Sequence, residues 1–165
     1  MKLAIKKMKY EDWDAVARIY KLGMDTGIAT FETEIPTWDK WNNSHLKTCR
    51  LTAWFDNQIV GWAALSPVSS RCVYGGVAEV SVYIDTYYNR RGIGTKLLKK
   101  LITKSEVEGF WTLQAGIFPQ NKTSIALHEK NGFRQIGYRE KIGKLKGEWL
   151  DNVIMERRSK IIGID

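Results

Sequence analysis

The sequence predicts a mixed α/β domain, α/β or α+β in class, in which helices pack on one β-sheet. Three observations carry that prediction. Strand-like and helix-like hydrophobic periods follow one another in the order β-α-α-β-β-β-α-β-α-β-β, with no internal repeat or low-complexity segment. The length of 165 residues suits one domain, taken here as residues 1–165, and is short for two. Apolar residues form 44% of the chain, with five Phe, seven Trp and seven Tyr, which supplies a large core and argues against disorder.

The elements follow in order. Leu3 and Ile5 alternate with Lys2, Ala4 and Lys6 in a first strand over 3–8. Trp13, Val16, Ala17, Ile19, Tyr20 and Met24 recur at helical steps, and Glu11, Asp12 and Asp14 stand where a helix N-terminus favours acids. After an irregular stretch over 29–36, Thr37 caps a short helix carrying Trp38, Trp41 and Leu46. Two β-rich runs, 51–55 and 58–65, flank Asp56-Asn57, a tight-hairpin signal, and 66–76 reads as a loop. Over 77–85, Val80, Val82 and Ile84 alternate with Glu79, Ser81 and Tyr83, as in a strand with one buried face. From Thr95 the stripe Leu97, Leu98, Leu101, Ile102 and Val107 is helical and ends at Gly109. The run 111–118 is expected to be an inner strand covered on both faces. A short helix over 121–131 closes at Asn131-Gly132, and strands over 134–143 and 152–158 are joined by a polar stretch rich in Lys and Gly.

Composition narrows the function. A surplus of eight positive charges favours an anionic partner: nucleic acid, membrane or phosphorylated cofactor. Cys49 and Cys72 allow one bridge at most, and with no CxxC spacing or histidine pairs they suggest neither a disulfide scaffold nor a metal site; a reducing cytoplasm fits them best. No run of 18 apolar residues and no leader with an apolar core occurs, so neither membrane insertion nor export is expected. Trp13, Trp38, Trp41 and Trp62 read as packing residues, and His45 as a surface residue.

The strongest chemical signal is the strand Val80-Ser81-Val82-Tyr83-Ile84-Asp85 followed by Asn89-Arg90-Arg91-Gly92-Ile93-Gly94-Thr95 opening a helix. Glycines allow close approach of backbone to ligand, and first-turn N–H groups with the helix dipole favour an anion. Over 85–104, Arg90, Arg91, Lys96, Lys99, Lys100 and Lys104 stand against Asp85 alone. A bare Gly-x-Gly often marks only a turn, and helix lysines are often a solvated face. Neither a P-loop nor a Rossmann fingerprint is present, so a phosphate-bearing ligand other than a nucleoside triphosphate or NAD is preferred.

The run 78–84, Arg90-Arg91-Gly92-Ile93-Gly94-Thr95, Asn121-x-x-Ser124-x-x-x-His128 and Asn131-Gly132-Phe133 together resemble the GNAT superfamily of acetyl-CoA-dependent N-acetyltransferases. Within it, Ala29-Thr30-Phe31-Glu32, Leu127-His128-Glu129, Gly132-Phe133-Arg134 and Gly147-x-Trp149-x-Asp151 resemble the phosphinothricin and methionine sulfoximine acetyltransferases. The resemblance spans about residues 10 to 158. It implies a strongly twisted mixed sheet whose central strands splay apart around acetyl-CoA. Val82, Tyr83 and Ile84 would offer backbone groups to the pantetheine and acetyl carbonyl, Arg90, Arg91, Gly92, Ile93, Gly94 and Thr95 would hold the pyrophosphate, and Asn121 and Ser124 would meet the cofactor. Asn89 departs from the family pattern, which usually has Gln or Arg there.

The same resemblance makes Glu79 the base and gives His128 a proton-transfer role, as acid or second base. It places Phe31, Arg71, Cys72, Val73, Glu79, Val80 and Ser81 around the acceptor, with Arg71 suited to a carboxylate. The implied activity is acetylation of the primary amine of a small amino-acid-like compound, with a detoxifying role and a homodimeric state, and without nucleic acid, membrane or metal. Other amines (a polyamine, aminoglycoside or protein N-terminus) are the alternatives within the class. A basic nucleic-acid-binding module is the alternative outside it, but no helix-turn-helix, zinc-finger or RNA-binding aromatic signature supports it.

Overall fold

The computed structural model describes residues 2–165. Seven strands form one sheet in the order β1-β2-β3-β4-β5-β7-β6. They are β1 (Leu3–Lys7), β2 (Leu51–Phe55), β3 (Gln58–Pro67), β4 (Val77–Ile84), β5 (Thr112–Ile117), β6 (Arg134–Leu145) and β7 (Glu148–Arg158). The helices are α1 (Trp13–Asp25), α2 (Trp38–Ser44), α3 (Ile93–Val107) and α4 (Lys122–Lys130). The expected order of elements is therefore reproduced, and the class is mixed α/β.

Two apolar layers hold the sheet. On one face Leu97, Leu98 and Leu101 of α3 bury against Ala63, Leu65, Val80, Leu113 and Met155. On the other, Val16 and Ile19 of α1 and Trp41 of α2 pack on Trp62 and Ala64. Rings continue this second layer without a break: Trp13 meets Trp41 at 5.5 Å, Trp41 meets Trp62 at 5.6 Å, and Trp62 stacks on Tyr83 at 4.9 Å. Burying such rings stabilises by area and by edge and offset contacts. The tryptophans are packing residues, as expected. His45 is not a surface residue, because its ring stacks on Trp41 at 4.2 Å and its Nδ1 lies 2.7 Å from the Trp41 carbonyl.

Three other expectations change. The run 111–118 is not covered on both faces: β5 is central in the sheet but buries Leu113, Ala115 and Ile117 on one side and leaves Gly116 exposed on the other. The polar stretch 144–151 is no linker. Strands continue to Leu145 and resume at Glu148 around Lys146-Gly147, both at positive φ (49° and 83°), the geometry that matches a two-residue hairpin to strand twist. Its polarity reflects a solvent-facing edge strand. Finally, α3 starts at Ile93 rather than Thr95, because Gly92 at φ 73° turns the chain into the helix two residues earlier.

Register decides where the sheet opens. Every neighbouring pair is antiparallel except β4 and β5, which run parallel. These two pair only at Val77↔Thr112, Ala78↔Leu113 and Glu79↔Gln114. The closed end is locked by Gly76, whose carbonyl accepts the N–H groups of Trp111 (2.9 Å) and Thr112 (3.2 Å). Any Cβ at Gly76 would stand 2.0 Å from the Trp111 ring. Beyond Glu79 the two strands diverge, while β4 remains fully paired to β3 as far as Ile84.

Candidate active site

The split between β4 and β5 places an α-helix N-terminus at its mouth. Arg90 and Gly92 both adopt left-handed backbone (φ 61° and 73°), and α3 has no side-chain cap. The first bond of its opening turn is Lys96 N–H to the Gly92 carbonyl, 3.2 Å, so the N–H groups of Ile93, Gly94 and Thr95 precede the helical ladder. Such a turn carries positive potential and suits an anion. Arg90 and Arg91 are exposed beside it, with the Arg91 guanidinium 5.2 Å from the Tyr88 ring centre. Asp85 is withdrawn from this field, since Arg18 holds it at 2.7 Å and the Tyr87 N–H donates to it at 3.0 Å.

The far wall is α4. Asn121 caps it by accepting the Ser124 N–H at 3.1 Å, and its Nδ2 donates to the Ile28 carbonyl at 3.3 Å. The segment 26–36 thus touches both sides of the split. Thr30 faces the hydroxyls of Tyr20 and Tyr83, and the Phe31 ring meets Phe118 edge-on at 4.7 Å. Burial raises the pKa of both tyrosine hydroxyls, that of Tyr83 strongly, so both stay protonated.

His128 is 4% exposed. Its Nδ1 donates to the Ser124 carbonyl at 2.7 Å, an assignment that follows from the bond, and its ring meets Phe133 at 5.0 Å. Nε2 is buried without a partner. Burial lowers the His128 pKa, opposed by the bond to Ser124. The result is a neutral imidazole with one free acceptor lone pair.

Glu79 stands on the last paired residue of β4, where the strands part. Burial raises its pKa, and the Arg139 charge and the Gly116 backbone N–H oppose the rise. A Cβ built at Gly116 would lie 3.3 Å from Glu79 Oε1 and 3.1 Å from Asn152 Oδ1, so the absent side chain is what lets the carboxylate and the amide converge. Arg139 and Asn152 are cross-strand partners on β6 and β7. A half-buried carboxylate with raised pKa beside an open split is a better proton acceptor than a free one.

The fold and this geometry coincide with a known family. The model of the acetyltransferase (GNAT) family matches residues 13–133, which covers α1 through the glycine turn to α4. The chain belongs to the GNAT acetyltransferases. As a GNAT enzyme it is 30% identical over 160 residues to the phosphinothricin N-acetyltransferase of Alcaligenes faecalis, covering 93% of this chain and 81% of that one. The L-methionine sulfoximine/L-methionine sulfone acetyltransferase of Pseudomonas aeruginosa is 30% identical over 132 residues, covering 70% and 77%. The structure of yncA from Salmonella typhimurium, solved with its cofactor acetyl-CoA, superposes with a TM-score of 0.88 at 26% identity over 96% and 94% of the two chains.

In this GNAT chain the residues expected at the site fall into two sets. Glu79, Val80, Ser81, Val82, Tyr83 and Ile84 share β4, and Gly94 brings the α3 turn against α4, with a Cβ there 3.3 Å from Leu127. Val80, Val82 and Ile84 turn their side chains into the core with α3, and Tyr83 packs between Tyr20 and Trp62, so β4 offers the split main-chain groups. Arg71, Cys72 and Val73 lie apart from these on the turn before β4; the Arg71 guanidinium sits 5.5 Å from the Tyr74 ring centre and forms no ion pair among the described residues. Sequence reasoning missed Gly116, Arg139 and Asn152, for which only sheet register supplies a signal. No group of three or more His, Cys, Asp or Glu among the described residues is placed to hold a metal, and no helix is long and apolar enough to cross a membrane.

Proposed function

We propose that this GNAT enzyme transfers the acetyl group of acetyl-CoA directly to the primary amine of a small amino-acid-like substrate of the phosphinothricin, methionine sulfoximine or methionine sulfone type. The observation that carries the reading is the end of β4–β5 pairing at Glu79, which sets a base of elevated pKa beside the split that leads to the uncapped N-terminus of α3. The residues suit the co-substrate: unpaired first-turn N–H groups and the cations Arg90 and Arg91 match a pyrophosphate. Acetyl-CoA supplies the thioester carbonyl.

Glu79 takes a proton from the substrate ammonium, directly or through water, and frees the nitrogen lone pair. As the nitrogen–carbon bond forms and the carbon–sulfur bond breaks, unpaired N–H groups on β4 stabilise the oxyanion. The second proton lost by nitrogen balances the one gained by sulfur. His128, neutral with Nε2 as acceptor, takes that second proton as second base, and the departing thiolate takes its proton from solvent, so that the products are the amide and free CoA thiol. Arg71 engages the substrate carboxylate, with Phe31, Cys72, Val73, Val80 and Ser81 around it, and Asn121 and Ser124 border the cofactor.

The chain acts as one acetyltransferase domain and as a homodimer in the cytoplasm with a detoxifying role. The exposed Ile136, Tyr138, Ile142 and Trp149 on β6 and β7, at an unpaired sheet edge, support the dimer, and two free thiols, Cys49 and Cys72, fit a reducing compartment. A thiol-release assay with acetyl-CoA across phosphinothricin, methionine sulfoximine, methionine sulfone, a polyamine, an aminoglycoside and an N-terminal peptide tests the activity. The amino-acid analogues should give the highest kcat/KM. A preference for any other amine overturns the substrate reading, and no release above background overturns the transfer.

A further inference from the structure

A cavity of about 350 Å³ lies away from the split, between the end of β1, the chain entering β2 and the C-terminal end of α3. At 1.5 Å per residue, the 15 residues of α3 separate it from the glycine turn by about 22 Å. Its volume is within the range of small-molecule sites, about 300–1,000 Å³.

The lining is strongly cationic. Lys7, Lys9, Lys47, Arg50 and Lys104 face it, against the single carboxylate of Glu108. Two of these cations are fixed in the wall. Arg50 donates to the carbonyls of Leu46 (2.6 Å) and Asn42 (3.0 Å) and to Asn42 Oδ1 (2.7 Å), with its guanidinium 5.0 Å from the Trp41 ring centre. Lys47 donates to the Asn42 carbonyl at 2.7 Å. Lys7, Lys9 and Lys104 have no carboxylate partner among the described residues. The field of the α3 C-terminus opposes an anion there, and Lys104, in its last turn, offsets it.

The cavity also has an aromatic wall and a neutral floor. Tyr10 is 64% exposed, with its ring 5.2 Å from that of Trp38 in an edge contact that leaves Tyr10 available to a planar group. At the floor, Cys49 holds a left-handed backbone (φ 58°), and burial pushes its thiol up, so it adds no negative charge. Unpaired cations beside an exposed ring, in a recess of this size, match one chemistry: a phosphate attached to a planar base. We propose that this cavity binds a small phosphorylated aromatic molecule of mononucleotide size, independently of the catalytic split.

Calorimetric titration of the protein carrying one equivalent of CoA, with AMP and separately with inorganic phosphate, tests the assignment. AMP should bind saturably and more tightly than phosphate. Lys9→Glu combined with Lys104→Glu should weaken AMP by about tenfold or more, and Tyr10→Ala should weaken AMP without changing phosphate. Arg90→Ala should leave AMP affinity unchanged, and the lysine variants should leave CoA affinity unchanged. Absence of saturable AMP binding at millimolar concentration, equal affinity for AMP and phosphate, or AMP binding indifferent to the lysine reversals would each overturn it.

Discussion

On the α3 side of the split, positive potential comes from main-chain N–H groups and from exposed cations set close together in sequence, whereas on the sheet face one half-buried carboxylate is surrounded by groups from three other strands. The first arrangement is redundant, because Arg90, Arg91 and Lys96 all add to one field and solvent screens each of them. The second has no substitute for its central group. Burial gives Glu79 its elevated pKa, and the same burial limits how many partners can hold it. Binding of the cofactor should therefore degrade gradually under substitution, and proton transfer should fail at once.

The largest effect tests that contrast most directly. Glu79→Gln should lower kcat by about a hundredfold or more, the lower range for loss of a general base, while CoA affinity measured by calorimetry stays near wild type. A near wild-type kcat would remove the contrast. Next in size, Arg90→Ala should weaken CoA by about tenfold, the lower end for one charge-assisted contact, with kcat at saturation little changed. A collapse of CoA binding in that single variant would show the α3 side to be no more redundant than the other.

A smaller effect lies in the pH profile. As the proposed base, Glu79 has to be ionised, so kcat/KM should rise with pH through a limb above the ordinary carboxylate range, and that limb should be absent in Glu79→Gln. Arg139→Gln removes a charge that opposes the elevation and should move the limb further up while preserving the plateau at high pH. The smallest effect is on stability. Because the folded state raises the Glu79 pKa, its ionised form is penalised on folding, and stability falls as pH rises from the unfolded to the folded value. Glu79→Gln should match wild type in Tm at acid pH and exceed it slightly at neutral pH, which thermal melts across pH would read.

The same contrast explains what was legible in the sequence. The turn at Gly92, the cap at Thr37 and the hairpin at Asp56-Asn57 rest on local backbone chemistry, so contiguous residues announce them. The convergence of Gly116, Arg139 and Asn152 on Glu79 depends on register between strands far apart in sequence, which residue type does not encode. His45 illustrates the same limit, since a polar neighbourhood in sequence is folded onto Trp41 and Trp62. The polar hairpin at Lys146-Gly147 was obscured for another reason: a solvent-facing edge strand lacks the alternation that marks a half-buried one. Asp151 depends on both kinds of information. Its carboxylate accepts the Lys141 N–H at 2.7 Å and steadies a bulge in which residues 140–142 of β6 oppose it alone on β7.

The short pairing of β4 with β5 carries a consequence for mutational drift. Beyond Glu79, the polar groups of β4 that face the split belong to the main chain, and no substitution can delete a peptide N–H except one to proline. Val82, Tyr83 and Ile84 are then free to change with the core that surrounds them, provided the strand stays in register with β3. This stretch of the enzyme is buffered against point mutation, and the sequence can wander there while the geometry it presents stays put.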